Sequence, residues 1–188
     1  FVLAADAVAG ERQGVDPVDS SVTFTPADLL ADSAWQAGYA LLKTYNLSFD
    51  AQIYAGQMDE MLALARRHPE TLVILNHAGM PIDRDAEGLR LWHDGMRKLA
   101  SADNIVAKIS GLGMVDHNWT AGSIRPFVLG TIDAFGSERV MFGSNFPVDR
   151  LYSSFSTLYG AFETIVADFT PAEQDRLFRS NAERWHRI

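Results

Sequence analysis

Four short apolar segments, each rich in β-branched or aromatic residues and each ending in a polar residue, constrain the fold of this sequence most strongly. They are Leu47–Tyr54, Thr71–His77, Asn104–Ser110 and Glu138–Asn145. The last residues of successive segments are 23, 33 and 35 positions apart. Continuous apolar runs are typical of parallel strands that are covered on both faces. The segments therefore predict four strands of a parallel sheet.

The intervals between the strands carry the pattern of amphipathic helices, since apolar residues recur there at spacings of three and four. The sets are Met58, Met61, Leu62 and Ala65; Leu89, Trp92, Met96 and Leu99; Ile124, Phe127, Val128 and Ile132; and Phe155, Leu158, Phe162, Ile165 and Val166. Thr170–Glu173 is a capping-box pattern with proline at the first helical position, which predicts a last helix. Its inward residues are Phe178, Ala182 and Trp185. The segment Thr25–Asp28 has a similar helix-start pattern and predicts a helix that runs to about Tyr45.

Right-handed crossovers turn such a series either into an open doubly wound sheet or into part of a closed (β/α)₈ barrel. The turn Gly111–Gly113 lacks the third glycine and the acidic residue of a dinucleotide-binding fingerprint. The polar ends of all four segments favour the barrel, because barrel active sites lie at the carboxyl ends of the strands. We therefore predict an α/β fold in which residues 1–188 are a single partial domain, the C-terminal half of a TIM barrel (about strands five to eight). The N-terminal strands are expected outside this sequence, and a homo-oligomer is possible because open sheet edges invite pairing.

The amino-acid composition limits the classes of molecule that this protein is expected to bind. The 188 residues include 16 Lys or Arg and 24 Asp or Glu, which gives a net charge of −8. No basic run interrupts this acidity, so we expect a small-molecule substrate and neither nucleic acid nor a membrane. The absence of cysteine excludes disulfides and thiolate chemistry. The sequence start lacks the basic region of a signal peptide, so a cytoplasmic location is expected.

Two strand-end residues are the candidate catalytic residues. His77 follows an apolar strand directly, and an imidazole there can polarise a carbonyl, shuttle a proton near neutral pH or bind a metal. The alternative is a structural histidine whose ring is satisfied by a neighbouring carbonyl. Asn145 follows a glycine within a strand and precedes a Phe-Pro pair, which predicts a strand end aimed at a ligand. Its alternative is a plain turn.

Five further residues are candidates for substrate binding. Lys108 and Ser110 share one face of their strand. If that face is the barrel lumen, both point toward the site; if it faces the helices, Lys108 only extends its ammonium group to solvent. Gln52 and Tyr54 are expected to line the same pocket, although an aromatic strand residue is as often a packing residue. His117 lies on the loop after the third strand, where specificity is commonly set.

Three of these motifs resemble a known family. Ile74–Gly79, Ala107–Gly111 and Met141–Pro147 are similar to the sixth, seventh and eighth strands of the amidohydrolase-related family, predicted metal-dependent hydrolases of the TIM-barrel fold that include sugar lactonases and the pyrone dicarboxylate lactonase. The resemblance runs from about Leu29 to the C-terminus. It implies a hydrolase that opens a lactone or a related cyclic ester or amide by water attack. The alternatives are a metal-dependent decarboxylase of the same superfamily and a catalytically inactive fragment or binding protein.

The resemblance also implies roles for individual residues. His77 would contact the scissile carbonyl or the hydrated intermediate, and Tyr54 would line the pocket. In the lactone-opening hydrolase that we expect, Lys108 would bind a carboxylate or carbonyl of the substrate. Asn145 stands where the wider family has an aspartate that binds metal or activates water, and an amide cannot accept a proton as a carboxylate does. Asp149, four residues further on, is therefore a candidate base. A divalent metal such as zinc is expected only in the full-length protein, because the His-x-His of the family's first strand is absent from this sequence.

Overall fold

The computed structural model describes residue 30 and residues 32–188. Within these residues, four parallel strands form one sheet in sequence order. They are β1 (Phe49–Ala51), β2 (Val73–Leu75), β3 (Ile105–Ile109) and β4 (Val140–Phe142). Each strand lies inside one of the four predicted segments, so the α/β fold with a parallel sheet is confirmed. In the register of the sheet, Leu75 pairs with both Ala51 and Ala107.

Helices alternate with the strands as predicted. They are α1 (Ser33–Ala40), α2 (Met58–Arg67), α3 (Ala86–Ala100), α4 (Leu112–Val115), α5 (Ala121–Phe135), α6 (Phe155–Ile165), α7 (Pro171–Asp175) and α8 (Asn181–His186). Short 3₁₀ turns occur at Leu42–Tyr45, Ala55–Gln57, Asn76–Gly79 and Val148–Leu151, and a π-helical turn at Arg176–Ser180 joins α7 to α8. The predicted capping box at Thr170 is present. The predicted helix start at Thr25 lies outside the described residues. No described helix is long and apolar enough to cross a membrane.

The two faces of the sheet pack differently. Alternate strand residues, such as Phe49 and Ala107, lie in the main hydrophobic core together with α2, α3, α5 and α6. The intervening residues Ile74, Val106 and Met141 form a smaller cluster on the opposite face, because side chains alternate along a strand. We call this second face the open face. The predicted apolar faces of α2, α3 and α5 are buried apart from Leu89, which is partly exposed but contacts the core.

The C-terminal helix α8 covers part of the open face. Ala182 and Trp185 pack against its apolar cluster, whereas Phe178 of the preceding π-helical turn packs against the main core. The side-chain amide of Asn181 donates to two backbone carbonyls near the start of β4, at 2.8 and 2.7 Å. These bonds hold the start of α8 beside the start of β4, and His186 at the end of α8 lines a cavity on the open face together with Asp50 and Ile74.

The prediction that Phe155 is buried on α6 is wrong, since its side chain is 54% exposed. Phe155 is the first residue of the helix, after the N-cap Ser154. At this position it stacks on Tyr159, with the ring centroids 4.4 Å apart, and does not enter the core. The other residues predicted for this face are buried: Leu158, Phe162, Ile165 and Val166.

Candidate active site

His77 lies on a strained backbone turn that follows β2. Residues 77–80 are four consecutive left-handed residues, with φ angles of 55°, 50°, 69° and 47°. The left-handed conformation costs a non-glycine residue about 1–2 kcal/mol. The buried Trp92 of α3 holds the turn, because its indole N–H donates to the carbonyl oxygen of Ala78 at 2.7 Å. Strain of this kind persists only where the surroundings enforce it, and it is concentrated at functional sites.

The imidazole of His77 is oriented by the next strand of the sheet. Its Nδ1 lies 2.9 Å from Oγ of Ser110, and Ser110 is only 2% exposed. Gly111 makes room for the ring, since a Cβ atom on it would lie 2.5 Å from Nδ1 of His77. Gly111 is also left-handed, with a φ of 64°. When Nδ1 carries the proton and donates it to Ser110, Nε2 keeps its lone pair.

Burial is the main cause, and the nearby ammonium group of Lys108 the second, that together lower the pKa of His77 to about 4. Hydrogen bonding to Ser110 and the carboxylate of Asp50 act in the opposite direction. The imidazole is therefore neutral at neutral pH. In this form its unprotonated nitrogen can accept a hydrogen bond or a proton, and the lowered pKa makes it a weaker base than an ordinary histidine.

Lys108 lies on the open face, because it is two residues from Val106 on the same strand and therefore on the opposite side from α2, α3, α5 and α6. Its Nζ is 3.4 Å from Oδ2 of Asp50, and the two side chains are 22% and 15% exposed. Gly143 of the β4 exit lies against this side chain, since a Cβ atom there would be 3.4 Å from Cγ of Lys108 and from Cβ of Ser110. Lys108 and Ser110 therefore point to the same side of the sheet as expected, but the ammonium group already has a counter-ion.

Sequence reasoning missed Asp50. It is a single acidic residue within the apolar segment Leu47–Tyr54, and that feature was the available signal. An acidic residue inside a strand needs a partner on the same face. The partner is Lys108, two strands away in the sheet, and no local spacing connects these two positions.

Asn145 follows β4 in a left-handed conformation, with a φ of 55°. Its Nδ2 donates to Oδ1 of Asp149 at 3.0 Å. Asp149 is 1% exposed and also accepts a hydrogen bond from the backbone N–H of Gly113. Burial raises the pKa of Asp149, and the two hydrogen bonds oppose that rise. A carboxylate this deeply buried is poorly placed to take a proton from a substrate, so the geometry does not favour Asp149 as the base.

The remaining candidates surround this centre. Gln52 and Tyr54 are half-buried and follow β1 at the carboxyl-terminal end of the sheet. Tyr54 lines a cavity of about 150 Å³ together with Met80, which belongs to the His77 turn, and Trp92. The structure thus places Tyr54 beside the segment that carries His77.

His117 is exposed and stacks on Tyr152, with ring centroids 4.4 Å apart and planes 8° from parallel. This contact joins the loop after β3 to the loop after β4. A second link joins the loops after β2 and β3, where the guanidinium of Arg84 donates to Asp116 at 3.1 Å. Sequence reasoning identified neither Tyr152 nor Arg84, because each contact joins loops that are distant in sequence.

The described residues do not by themselves fit a metal site. Among residue 30 and residues 32–188, no group of three or more His, Cys, Asp or Glu side chains is placed to hold a metal ion. His77 supplies one neutral imidazole, with a hydroxyl group and an ammonium group as neighbours. Asn145 turns its NH₂ group toward Asp149, and an amide is a poor metal ligand in any orientation. The described residues therefore do not supply a complete ligand set for the expected metal.

The sequence and the fold are similar to those of known proteins. The family model for amidohydrolases matches residues 2–188. An uncharacterized protein of Sinorhizobium fredii is 46% identical over 156 residues, which cover 82% of this chain and 52% of that protein. The L-fucono-1,5-lactonase of Burkholderia multivorans is 29% identical over 169 residues, which cover 84% of this chain and 57% of the lactonase.

A solved structure extends this similarity. The crystal structure of an amidohydrolase from Burkholderia multivorans with bound zinc matches with a TM-score of 0.80 at 27% sequence identity. The match covers 86% of this chain and 60% of that chain. The present chain spans about half the length of the curated relatives it matches.

Proposed function

Because this chain belongs to the amidohydrolase family, we propose that it forms the C-terminal half of a (β/α)₈-barrel hydrolase that opens a lactone or a related cyclic ester or amide. The lactonase relatives and the TM-score of 0.80 to an amidohydrolase support this proposal. The observation that carries it is a neutral imidazole, that of His77, held by Ser110 at the carboxyl-terminal end of a parallel sheet.

The barrel itself is part of the proposal. Within the described residues, β1 and β4 each pair with one neighbouring strand and are the two edges of the sheet. A closed barrel has no edges, so four further strands would have to come from residues other than those that the structure describes. Open edges of this kind promote pairing and aggregation. We therefore expect the 188-residue chain alone to dimerise or aggregate.

The proposed reaction begins with attack of water on the carbonyl carbon of the substrate. Nε2 of His77 accepts a proton from the attacking water while Nδ1 stays bonded to Ser110. The bond between the carbonyl carbon and the ring oxygen then breaks. The imidazolium returns its proton to the departing oxygen, and the product is an open-chain hydroxy acid. The lowered pKa of His77 keeps Nε2 unprotonated at neutral pH before water attacks, and the imidazolium formed in this step is a strong acid that readily returns its proton.

The other candidates bind the substrate in this proposal. The ammonium group of Lys108 has three hydrogens, and its contact with Asp50 leaves others for a carbonyl, hydroxyl or carboxylate of the substrate. Gln52 and Tyr54 line the pocket on the β1 side. The stacked rings of His117 and Tyr152 line it in the loops after β3 and β4.

The test is lactone hydrolysis by the full-length gene product, measured on a panel of sugar-acid lactones that includes L-fucono-1,5-lactone. His77→Ala should lower kcat by about 100- to 10,000-fold, the usual contribution of a general base. His68→Ala is the matched control, because His68 ends α2 near the start of β2 and contacts Tyr39. It should leave kcat unchanged.

Lactone turnover that His77→Ala leaves intact would refute the role of His77. A folded wild-type protein that hydrolyses none of the lactones would refute the proposed reaction. Carbon dioxide release from aromatic acids by the same protein would then favour the decarboxylase alternative.

A further inference from the structure

The side-chain amide of Asn145 has two different ends, and the chemistry that it offers depends on which end faces the site. The NH₂ group only donates hydrogen bonds, and the carbonyl oxygen only accepts them. An amide oriented by its NH₂ group would stabilise negative charge on a substrate oxygen. An amide oriented by its oxygen would bind a hydroxyl group or water.

Asp149 decides this orientation. A carboxylate has no hydrogen to donate, so the group of Asn145 that lies 3.0 Å from Oδ1 of Asp149 must be the NH₂ group. The usual ambiguity between the oxygen and nitrogen of an amide is therefore removed by the chemistry of the partner.

Several hydrogen bonds hold Asp149 in place. It is 1% exposed, and the backbone N–H of Gly113 donates to its carboxylate. Its own backbone N–H donates to the carbonyl of Asn145 at 3.1 Å, and its carbonyl accepts from the N–H of Tyr152 at 3.0 Å. These bonds connect Asp149 to α4, to Asn145 directly after β4, and to Tyr152, which stacks on His117. The carboxylate is too buried to meet a substrate, so its influence passes through Asn145.

We propose that Asp149 is a positioning residue that turns the amide of Asn145 so that its carbonyl oxygen faces the carboxyl-terminal end of the sheet, where it accepts a hydrogen bond from the attacking water or a substrate hydroxyl group. The proposal rests on the proposed function for the identity of that donor. It divides the roles at the site, because His77 takes the proton and Asn145 only orients the group that carries it.

The experiment compares Asp149→Leu with the exchanged pair Asn145→Asp/Asp149→Asn in the full-length gene product. Asp149→Leu removes the acceptor and frees the amide to rotate, so kcat should fall by about tenfold or more while KM changes little. The exchanged pair again presents an acceptor oxygen at position 145 and a donor behind it. It should recover most of the lost kcat. Asp85→Ala removes a helix cap remote from Asn145 in sequence and serves as the control for general destabilisation.

A second readout does not depend on activity. The side-chain NH₂ resonances of Asn145, assigned by their loss in Asn145→Asp, should exchange slowly with solvent in the wild type and rapidly in Asp149→Leu. If no lactone is hydrolysed, this exchange alone decides the proposal, and the failure belongs to the proposed function. Equal exchange in the two proteins, or an Asp149→Leu enzyme with kcat within about twofold of wild type, would overturn the positioning role.

Discussion

Replacing Trp92 with phenylalanine tests how the backbone holds His77. The substitution removes the indole N–H that donates to the buried carbonyl of Ala78 at 2.7 Å. A buried carbonyl left without a partner costs about 1–3 kcal/mol, and the smaller ring adds a cavity term. We therefore expect the free energy of unfolding to fall by about 2–4 kcal/mol. The left-handed turn from His77 to Met80 should relax, because its strain is no longer opposed.

Two measurements on the full-length gene product check this prediction. Urea unfolding gives the free energy of unfolding, and NMR titration of the imidazole gives the pKa of His77. If the turn relaxes, His77 leaves Ser110 and becomes more hydrated, so its pKa should rise from about 4 toward the ordinary value of 6.5. Trp185→Phe is the matched control, since its indole N–H makes a 3.3 Å bond at an exposed site. This variant should lose less than about 1 kcal/mol.

The reasoning fails if the Trp92 variant loses no more stability than the Trp185 variant and its His77 titrates unchanged. That result would mean that the turn is held by packing alone, without the hydrogen bond to Ala78.

Two further predictions concern charge. The folded chain holds the pKa of His77 near 4, below the ordinary 6.5, so the unfolded chain binds an extra proton between these two pH values. The free energy of unfolding should therefore fall by up to about 3 kcal/mol as the pH drops from about 6.5 to about 4. Urea unfolding of His77→Gln should lack this pH dependence. Lys108→Met should raise the pKa of His77 in an NMR titration, since the ammonium group repels the imidazolium. Lys108→Met should also lower the free energy of unfolding by about 1 kcal/mol, because it leaves Asp50 unpaired. Adding Asp50→Asn should restore most of that stability. An unchanged His77 titration in Lys108→Met would contradict an electrostatic effect of Lys108 on the pKa of His77.

The strands and most helices could be predicted from the sequence because their signals are local. Apolar runs and helical spacing report which side chains can be buried together within one element, and the capping box at Thr170 is satisfied within a single turn. Phe155 is an exception, because helical spacing alone does not predict whether a residue at the end of a helix is buried. Its spacing matches the buried face of α6, but it lies at the helix end and remains 54% exposed.

The candidate site could be predicted only in outline. The carboxyl ends of parallel strands meet at one end of the sheet, so placing His77, Ser110 and Asn145 there followed from the order of strands alone. The protonation state of His77 did not follow, since it depends on burial and on the ammonium group of Lys108. The partner of Asn145 did not follow either, because the sequence suggests Asp149 only as a base.

The sequence by itself determined the alternation of strands and helices and the position of His77 after an apolar strand. Tertiary structure decided which groups act on each other. The bond between His77 and Ser110 joins residues 33 positions apart, and the ion pair of Asp50 with Lys108 joins residues 58 positions apart. The physical reason is the distance along the sequence over which each interaction acts. Secondary structure depends on neighbours within a few residues. Charge, burial and hydrogen bonding at the site depend on side chains that only the folded sheet brings within about 3 Å of each other.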